Sequence, residues 1–320
     1  MERGKRTHDK SRGSKEMKKE NKIEVDKQWT SINELLDNNT LKNWNSFKTS
    51  PYFYRITTWD PSTNGLRYMK ILLYNLGIQL TSQQLELLSN IKNKSVGNPI
   101  SVTIEGEELC YDYIQAAYEI TTLFNLINLN NKNILEIGGG YGRTCHSILS
   151  NVNCDSYTIV DLEEMIGVSK VYLKEVLDSS NYHKIKFITI ENFDILKEQY
   201  FDLVIQIDGF NEMVKEVVED YLNYIDTNSS YFYVKNPVGK YENRENISTS
   251  DDEQTIERAL KSGIITEVID INNSREIKEA SHNFVNVFKP SEKWDLVHEG
   301  WAPPVSHCWE SFFKKKHRLI

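Results

Sequence analysis

The chain has 320 residues, 39% hydrophobic and 26% charged, with a formal net charge of −8. That length holds one large α/β domain with an appendage or two small domains, and the composition excludes a fibrous or wholly disordered chain. No apolar run approaches the roughly 20 residues that span a bilayer, and residues 1–21 are charged without the apolar core of a secretory signal, so the expectation is a cytoplasmic protein with no membrane span.

Charge is unevenly placed. Residues 1–22 carry net +5 and the run Lys314 to Arg318 adds +4, which leaves a body of net −17. An acidic body argues against a nucleic-acid partner. Residues 1–22 lack hydrophobic periodicity and read as a disordered basic tail. Cys110, Cys145, Cys154 and Cys308 form no C-x-x-C pair and read as small buried hydrophobes in a reducing compartment.

In chain order, residues 23–131 look mainly helical. Residues 68–76 are apolar-rich and stop at Gly77, and Thr81-Ser82-Gln83-Gln84 has the form of a capping box, with Leu85, Leu88 and Ile91 following on one face. Residues 101–106 alternate and predict a short strand ending in a turn. Residues 113–129 predict a third helix.

From residue 133 short β-branched runs alternate with helical segments. Strands are expected at 133–137, 157–160, 185–190, 201–207 and 230–234, with helices between them, a further helix at 252–262, and strands at 264–269 and 283–288. This alternation predicts a parallel sheet with helices on both faces. The last two strands lack a helix between them and are expected to pair antiparallel across Asn272-Asn273-Ser274.

The segment Glu136-Ile137-Gly138-Gly139-Gly140-Tyr141-Gly142 follows a strand and opens a helix. Glycines there permit a sharp turn and close approach of a ligand to the backbone. A dinucleotide fingerprint would need a small residue where Arg143 stands, so NAD is disfavoured. Asp161 ends the second strand 19 residues after Gly142. It can accept hydrogen bonds from ribose hydroxyls or cap the next helix, with Leu162 following. Asn192 and Phe193 lie after the third strand, where a nucleobase would rest. The fourth strand delivers Asp208 and Glu212 to the carboxyl edge of the sheet, the edge at which open α/β sheets bind ligands.

These strings, L-E-I-G-G-G-Y-G, Tyr157 to Asp161, and the segment ending Glu212-Met213, with Tyr111-Asp112-Tyr113 ahead of them, resemble a bacterial family of sugar O-methyltransferases over residues 108–313. The resemblance implies the class I, Rossmann-like methyltransferase fold: an α/β sheet of about seven strands with the last antiparallel. It implies S-adenosyl-L-methionine as cofactor and a sugar, nucleotide-sugar or glycan hydroxyl as acceptor, often in surface polysaccharide synthesis. The domain division expected is a tail at 1–22, a helical region at 23–131 serving as lid, substrate or oligomer contact (a homo-oligomer being one expectation), and the cofactor-binding domain at 132–320. The cofactor-binding candidates are Glu136, Gly138, Gly139, Gly140, Tyr141, Gly142, Asp161, Leu162, Asn192, Phe193 and Asp208.

Sugar hydroxyls are weak acids, so a general base is expected among Asp208, Glu212 and His282, the last placed at the start of the seventh strand. A divalent metal on Asp208 and Glu212 is an alternative that no H-x-x-H or D-x-D spacing supports. The aromatic run Trp294, His298, Trp301, His307, Trp309 and Phe312 suits either a pyranose platform or packing over the sheet. Tyr52, Tyr54 and Trp59 are lid candidates. Methylation of another small metabolite, and a catalytically silent module of the same fold, stay open.

Overall fold

A computed structural model describes residues 61–241 and 253–316. The tail 1–22 and the lid aromatics Tyr52, Tyr54 and Trp59 lie outside these residues. From Leu66 onward the chain is one compact unit.

Helix α1 (Pro61–Gly77) has a break at Asn64. Helix α2 (Ser82–Asn90) starts with the expected capping box: Gln84 N–H donates to Thr81 Oγ1 at 3.2 Å, and Thr81 N–H donates to Gln84 Oε1 at 2.9 Å. The alternating segment after it is a hairpin of two strands, β1 (Ser101–Ile104) and β2 (Glu107–Cys110). Its two turn residues, Glu105 and Gly106, both have positive φ (51° and 87°), the geometry that matches strand twist in a two-residue loop. Helix α3 (Tyr111–Leu126) follows directly.

The main sheet takes β3 (Asn133–Ile137), β4 (Ser156–Asp161), β5 (Ile185–Thr189), β6 (Phe201–Ile207), β7 (Ser229–Pro237), β8 (Trp294–Trp301) and β9 (Cys308–Lys315). Their spatial order is β5-β4-β3-β6-β7-β9-β8. The first five are parallel, and β9 runs antiparallel between β7 and β8. This is the strand order of the class I methyltransferase fold.

Side chains alternate across the strands and so serve two cores. Ile134, Tyr157, Ile159, Leu203 and Ile205 join the core that holds residues of α3, α4 (Arg143–Leu149) and α5 (Glu163–Val176). Leu135, Ile137, Val160, Val204 and Phe232 join the opposite core, with residues of α7 (Lys215–Asn228) and α10 (Phe284–Phe288). Short helices α6 (Ser179–Tyr182), α8 (Glu253–Lys261) and α9 (Ser274–Ser281) complete the order. Among the described residues no helix is long and apolar enough to cross a membrane.

The end of the chain differs from expectation. Residues 264–269 contribute one isolated bridge, Lys240 to Val268, and residues 283–288 are mostly helix α10. The run Phe284 to Phe288, with Val285 and Val287 inside it, folds as helix because Phe284 and Phe288, four apart, meet at a tilt with ring centroids 4.7 Å apart and are both buried in the second core. The final strands are instead Trp294–Trp301 and Cys308–Lys315. Charged residues (Asp295, His298, Glu299, Lys314, Lys315) hid them, although both run eight residues. The expected turn across Asn272-Asn273-Ser274 is the start of α9, with Asn273 accepting from Arg275 N–H as N-cap. His282 therefore does not open a strand: it is the exposed C-cap of α9.

Candidate active site

The loop from β3 to α4 carries three glycines with positive φ: Gly138 (77°), Gly140 (54°) and Gly142 (101°). They do different work. A Cβ at Gly142 would lie 2.7 Å from Leu173 of α5, and one at Gly139 2.7 Å from Ile159, so both glycines are needed for packing. A Cβ at Gly140 would meet nothing within 4 Å, and one at Gly138 would meet only the Gly209 backbone, at 4.0 Å. Gly138 and Gly140 thus present bare backbone to an open cradle. A Cβ would intrude on that cradle, and it suits a ligand lying close over the main chain.

Asp161 closes one side of the cradle. One carboxylate oxygen accepts from Gly140 N–H at 2.7 Å and the other from Leu162 N–H at 2.7 Å. Each oxygen keeps a lone pair for ribose hydroxyls. Asp161 is not the N-cap of the next helix: Leu162 takes that place in α5, and no side chain caps it. Asp161 and Thr189 are register partners on β4 and β5, and the residues after them, Leu162 and Ile190, are both exposed apolar side chains. They offer a surface for a base ring. Asn192 is exposed and donates to Thr189 Oγ1 at 2.9 Å. Phe193 packs edge-on against Tyr221 and Tyr224 of α7, at 5.1 and 4.9 Å.

Glu136 and Tyr141 sit behind the loop. Glu136 is buried under Gly139 and accepts from Tyr157 Oη–H at 2.8 Å. Burial pushes its carboxyl up to about 7, against the opposing hydrogen bond from Tyr157. Tyr141 donates its hydroxyl to Asp112 at 3.0 Å, and Arg143 donates to the Asp112 carbonyl at 3.1 Å. Tyr113 Oη lies 2.6 Å from His146 Nδ1 of α4. The Tyr111-Asp112-Tyr113 string therefore docks the start of α3 onto the glycine loop and its helix.

One strand over, β6 ends at Asp208, whose φ is +62°, an uncommon backbone state for a non-glycine residue. The turn is fixed from below. Buried Gln206, with its amide oxygen facing the loop, accepts from Gly209 N–H at 2.7 Å and Phe210 N–H at 2.8 Å. Asp208 is half-buried. Lys235 Nζ of β7 lies 3.9 Å from one of its oxygens and Cys308 Sγ of β9 3.8 Å from the other. Burial raises the Asp208 carboxyl above its ordinary value even though Lys235 pulls it down.

Behind Asp208 is a charge network that the sequence reading missed. Glu119 of α3 is 1% exposed and Lys235 0%, with Nζ to Oε1 at 2.8 Å. Arg143 forks onto the same carboxylate at 2.8 and 3.2 Å. Burial pushes the Glu119 carboxyl up, but Arg143 and Lys235 together outweigh it and hold it at about 2. The signal was a lysine inside the apolar run Tyr231-Phe232-Tyr233-Val234-Lys235, a charge that a buried strand carries only when paired.

Glu212 is exposed and lines a cavity of about 260 Å³ with Asn211, Lys240, Tyr241 and Ser262. Lys240 donates to the Asn211 carbonyl at 2.7 Å and to Ser262 Oγ at 3.2 Å. The Tyr241 ring meets His307 edge-on at 5.6 Å. Burial lowers the His307 imidazole, against a weaker upward pull from Asp208. Of the aromatic run, Trp294 and Phe312 are buried packing residues, while Trp301, 52% exposed, and Trp309 are cross-strand partners at the edge that also bears Cys308. Among the described residues no group of three or more His, Cys, Asp or Glu is arranged to hold a metal.

A family model for the spermine/spermidine synthase domain matches residues 118–226, from α3 to most of α7. No curated protein matches. Solved structures include three with similar folds. A Klebsiella pneumoniae protein described as an O-methyltransferase is 11% identical, with 79% of this chain and 100% of that chain covered and a TM-score of 0.43. The methyltransferase domain of a bacterial Hen1 is 12% identical, covering 62% and 97% with a TM-score of 0.42. A Pyrococcus horikoshii protein described as an RNA methyltransferase is 14% identical, covering 75% and 100% with a TM-score of 0.42. Strand order, glycine loop and strand-end carboxylate together are those of the class I methyltransferase fold.

Proposed function

We propose that the chain is an S-adenosyl-L-methionine-dependent O-methyltransferase acting on a sugar hydroxyl. The observation that carries this reading is the open cradle over Gly138 and Gly140, closed by the Asp161 carboxylate and lying one strand from Asp208. Gly138, Gly140, Asp161, Leu162 and Asn192 would hold the cofactor. Glu136, Gly139, Tyr141 and Gly142 would shape the loop from behind. When bound, the cofactor supplies a sulfonium methyl, an electrophile that is already activated.

The chain's own part is to bring a hydroxyl into line, exclude water and take its proton. Asp208 is the proton acceptor in this reading. It stands beside the Gly138 end of the cradle, and burial makes its carboxylate more basic than an ordinary aspartate. Glu212, with Lys240, Tyr241 and Ser262, supplies hydrogen-bonding groups for sugar hydroxyls in the adjoining cavity. Trp301 and Trp309 offer aromatic faces to the C–H side of a pyranose. The position of His282 at the end of α9 removes the reason for assigning it a role.

The family-model match favours a second reading, transfer to an amine, in which Asp208 and Glu212 would hold an ammonium group. One experiment separates the two. Methyl-labelled S-adenosylmethionine is offered with glycosides, nucleotide sugars, glycans and diamines, and products are read by mass spectrometry. Label on a sugar oxygen is the expected result. Label on nitrogen only supports the second reading, and cofactor binding without transfer to any acceptor counts against both.

A further inference from the structure

Helix α3 precedes the sheet and carries none of the groups in the cradle, yet it sends Glu119 into the sheet's carboxyl edge. Glu119 is met there by two cations from different elements, Arg143 at the first turn of α4 and Lys235 at the end of β7. Gln115, one turn earlier on α3, adds a hydrogen bond to the same oxygen at 3.2 Å. Lys235 is shared unequally: its ammonium is 2.8 Å from Glu119 and 3.9 Å from Asp208. The nearer carboxylate is fully buried, whereas the Asp208 side chain is 45% exposed to the cleft.

We propose that Glu119 is a positioning residue for the transfer: by holding the Lys235 ammonium it keeps that cation out of direct contact with Asp208, so the Asp208 carboxylate stays free to take a proton, and through Arg143 it ties Asp208 to the helix that leaves the glycine loop. The inference rests on reading Asp208 as the proton acceptor. Without Glu119, Lys235 would have Asp208 as its nearest carboxylate and would close on it. A contact ion pair at 2.8 Å holds a carboxylate more firmly in its charged, non-basic state than one at 3.9 Å.

The groups around Asp208 all act on its proton affinity. Burial raises it, Lys235 lowers it, the Glu119 charge raises it, Arg143 lowers it, and the Cys308 thiol lowers it by hydrogen bonding. His307, in the connection between β8 and β9, and Tyr111 at the start of α3 also sense its charge. Two variants of the full chain should therefore move Asp208 in opposite directions. Glu119→Gln removes a negative charge and releases Lys235 toward Asp208. Lys235→Met removes the cation and leaves Glu119 paired with Arg143, so its fold is supported even if Glu119→Gln fails to fold.

The test is a carboxyl-carbon NMR titration, with the Asp208 signal identified by its loss in Asp208→Asn. The same variants are then followed by the pH dependence of kcat with the best acceptor. Glu119→Gln should lower the Asp208 midpoint by about one pH unit and Lys235→Met should raise it by a similar amount. The acid limb of kcat should follow both shifts while the cofactor Kd stays within a few-fold. Two variants that lose thermal stability but leave the midpoint in place would show a merely structural pair and overturn the proposal. If the parent transfers no methyl group to any acceptor, the functional reading fails, and the NMR titration still decides whether Glu119 and Lys235 control Asp208.

Discussion

The glycine loop between β3 and α4 holds its shape with backbone groups, one carboxylate and tight apolar contacts to Ile159 and Leu173. The β6–β7 side of the same sheet edge holds its shape with Asp208, Lys235, Glu119 and Arg143, charged side chains drawn from four parts of the fold. The first is a shape that accepts a ligand. The second is an electrostatic setting that can tune a proton. Changes in the first should therefore appear in binding and changes in the second in turnover, and a variant that crosses that line would break the comparison.

The largest effect is expected at Asp208. Asp208→Asn keeps the side-chain volume and the turn supported by Gln206 but removes the proton acceptor. Turnover should fall by about 10²–10⁴-fold while cofactor affinity, read by calorimetry with S-adenosylhomocysteine, stays within a few-fold. Gly140→Val is its mirror image. The new side chain enters open space above the loop, and a β-branched residue at φ +54° also strains the turn, so cofactor binding should weaken by about 10²-fold with some loss of thermal stability but an unchanged circular dichroism spectrum. Equal losses of affinity in both variants would mean that Asp208 belongs to the cofactor cradle.

A second test sharpens the difference through pH. Burial raises Glu136 to about 7 from the ordinary 4.5, so its contribution to stability is full below pH 4.5 and is lost as pH rises through 7. His146 slopes the other way. Burial, then Lys94, lowers it to about 4 from 6.5, so its contribution is full above pH 6.5 and is lost as pH falls toward 4. Between pH 4.5 and 6.5 the two slopes oppose, and the parent's stability should change little. Glu136→Gln imitates the protonated carboxyl and keeps an acceptor for Tyr157. In urea melts it should gain on the order of 3 kcal/mol over the parent at pH 8, and expose a stability that climbs from pH 4 to 6.5. A parent and variant with parallel profiles would show that burial does not raise the Glu136 carboxyl in the fold.

The two sides also differ in how far the sequence reveals them. The glycine loop and Asp161 were readable because a strand, a turn and a strand end lie within 26 residues of one another, from Glu136 to Asp161. The Asp208 loop was readable for the same local reason, as the end of an apolar strand. The network behind it was not, because Lys235 and Glu119 stand 116 residues apart and meet only once the sheet and α3 have packed. Arg143 was noticed only as a residue too large for a dinucleotide fingerprint, when its partner is a buried carboxylate on another helix. The misplaced strands at the chain's end have a related cause: burial against the second core decided the helix at 284–288, whereas its β-branched composition favoured a strand.

The smallest effect is expected far from either side, at the start of α2. Thr81 and Gln84 exchange two hydrogen bonds there, one from each backbone N–H to the other's side chain. A helix start leaves its first N–H groups without partners inside the helix, and Thr81 Oγ1 satisfies one of them. Thr81→Ala removes that acceptor and leaves the Gln84 half of the box in place. The loss should be about 1 kcal/mol of unfolding free energy, seen as a lower urea midpoint at unchanged slope. Leu88 and Ile91, buried against the first core, keep α2 docked, so the cradle and the Asp208 network have no reason to move. Cofactor Kd and kcat should both stay within a few-fold of the parent, in contrast to Gly140→Val and Asp208→Asn. A fall in kcat of tenfold or more from Thr81→Ala would mean that the region before the sheet reaches the chemistry by a route other than Glu119.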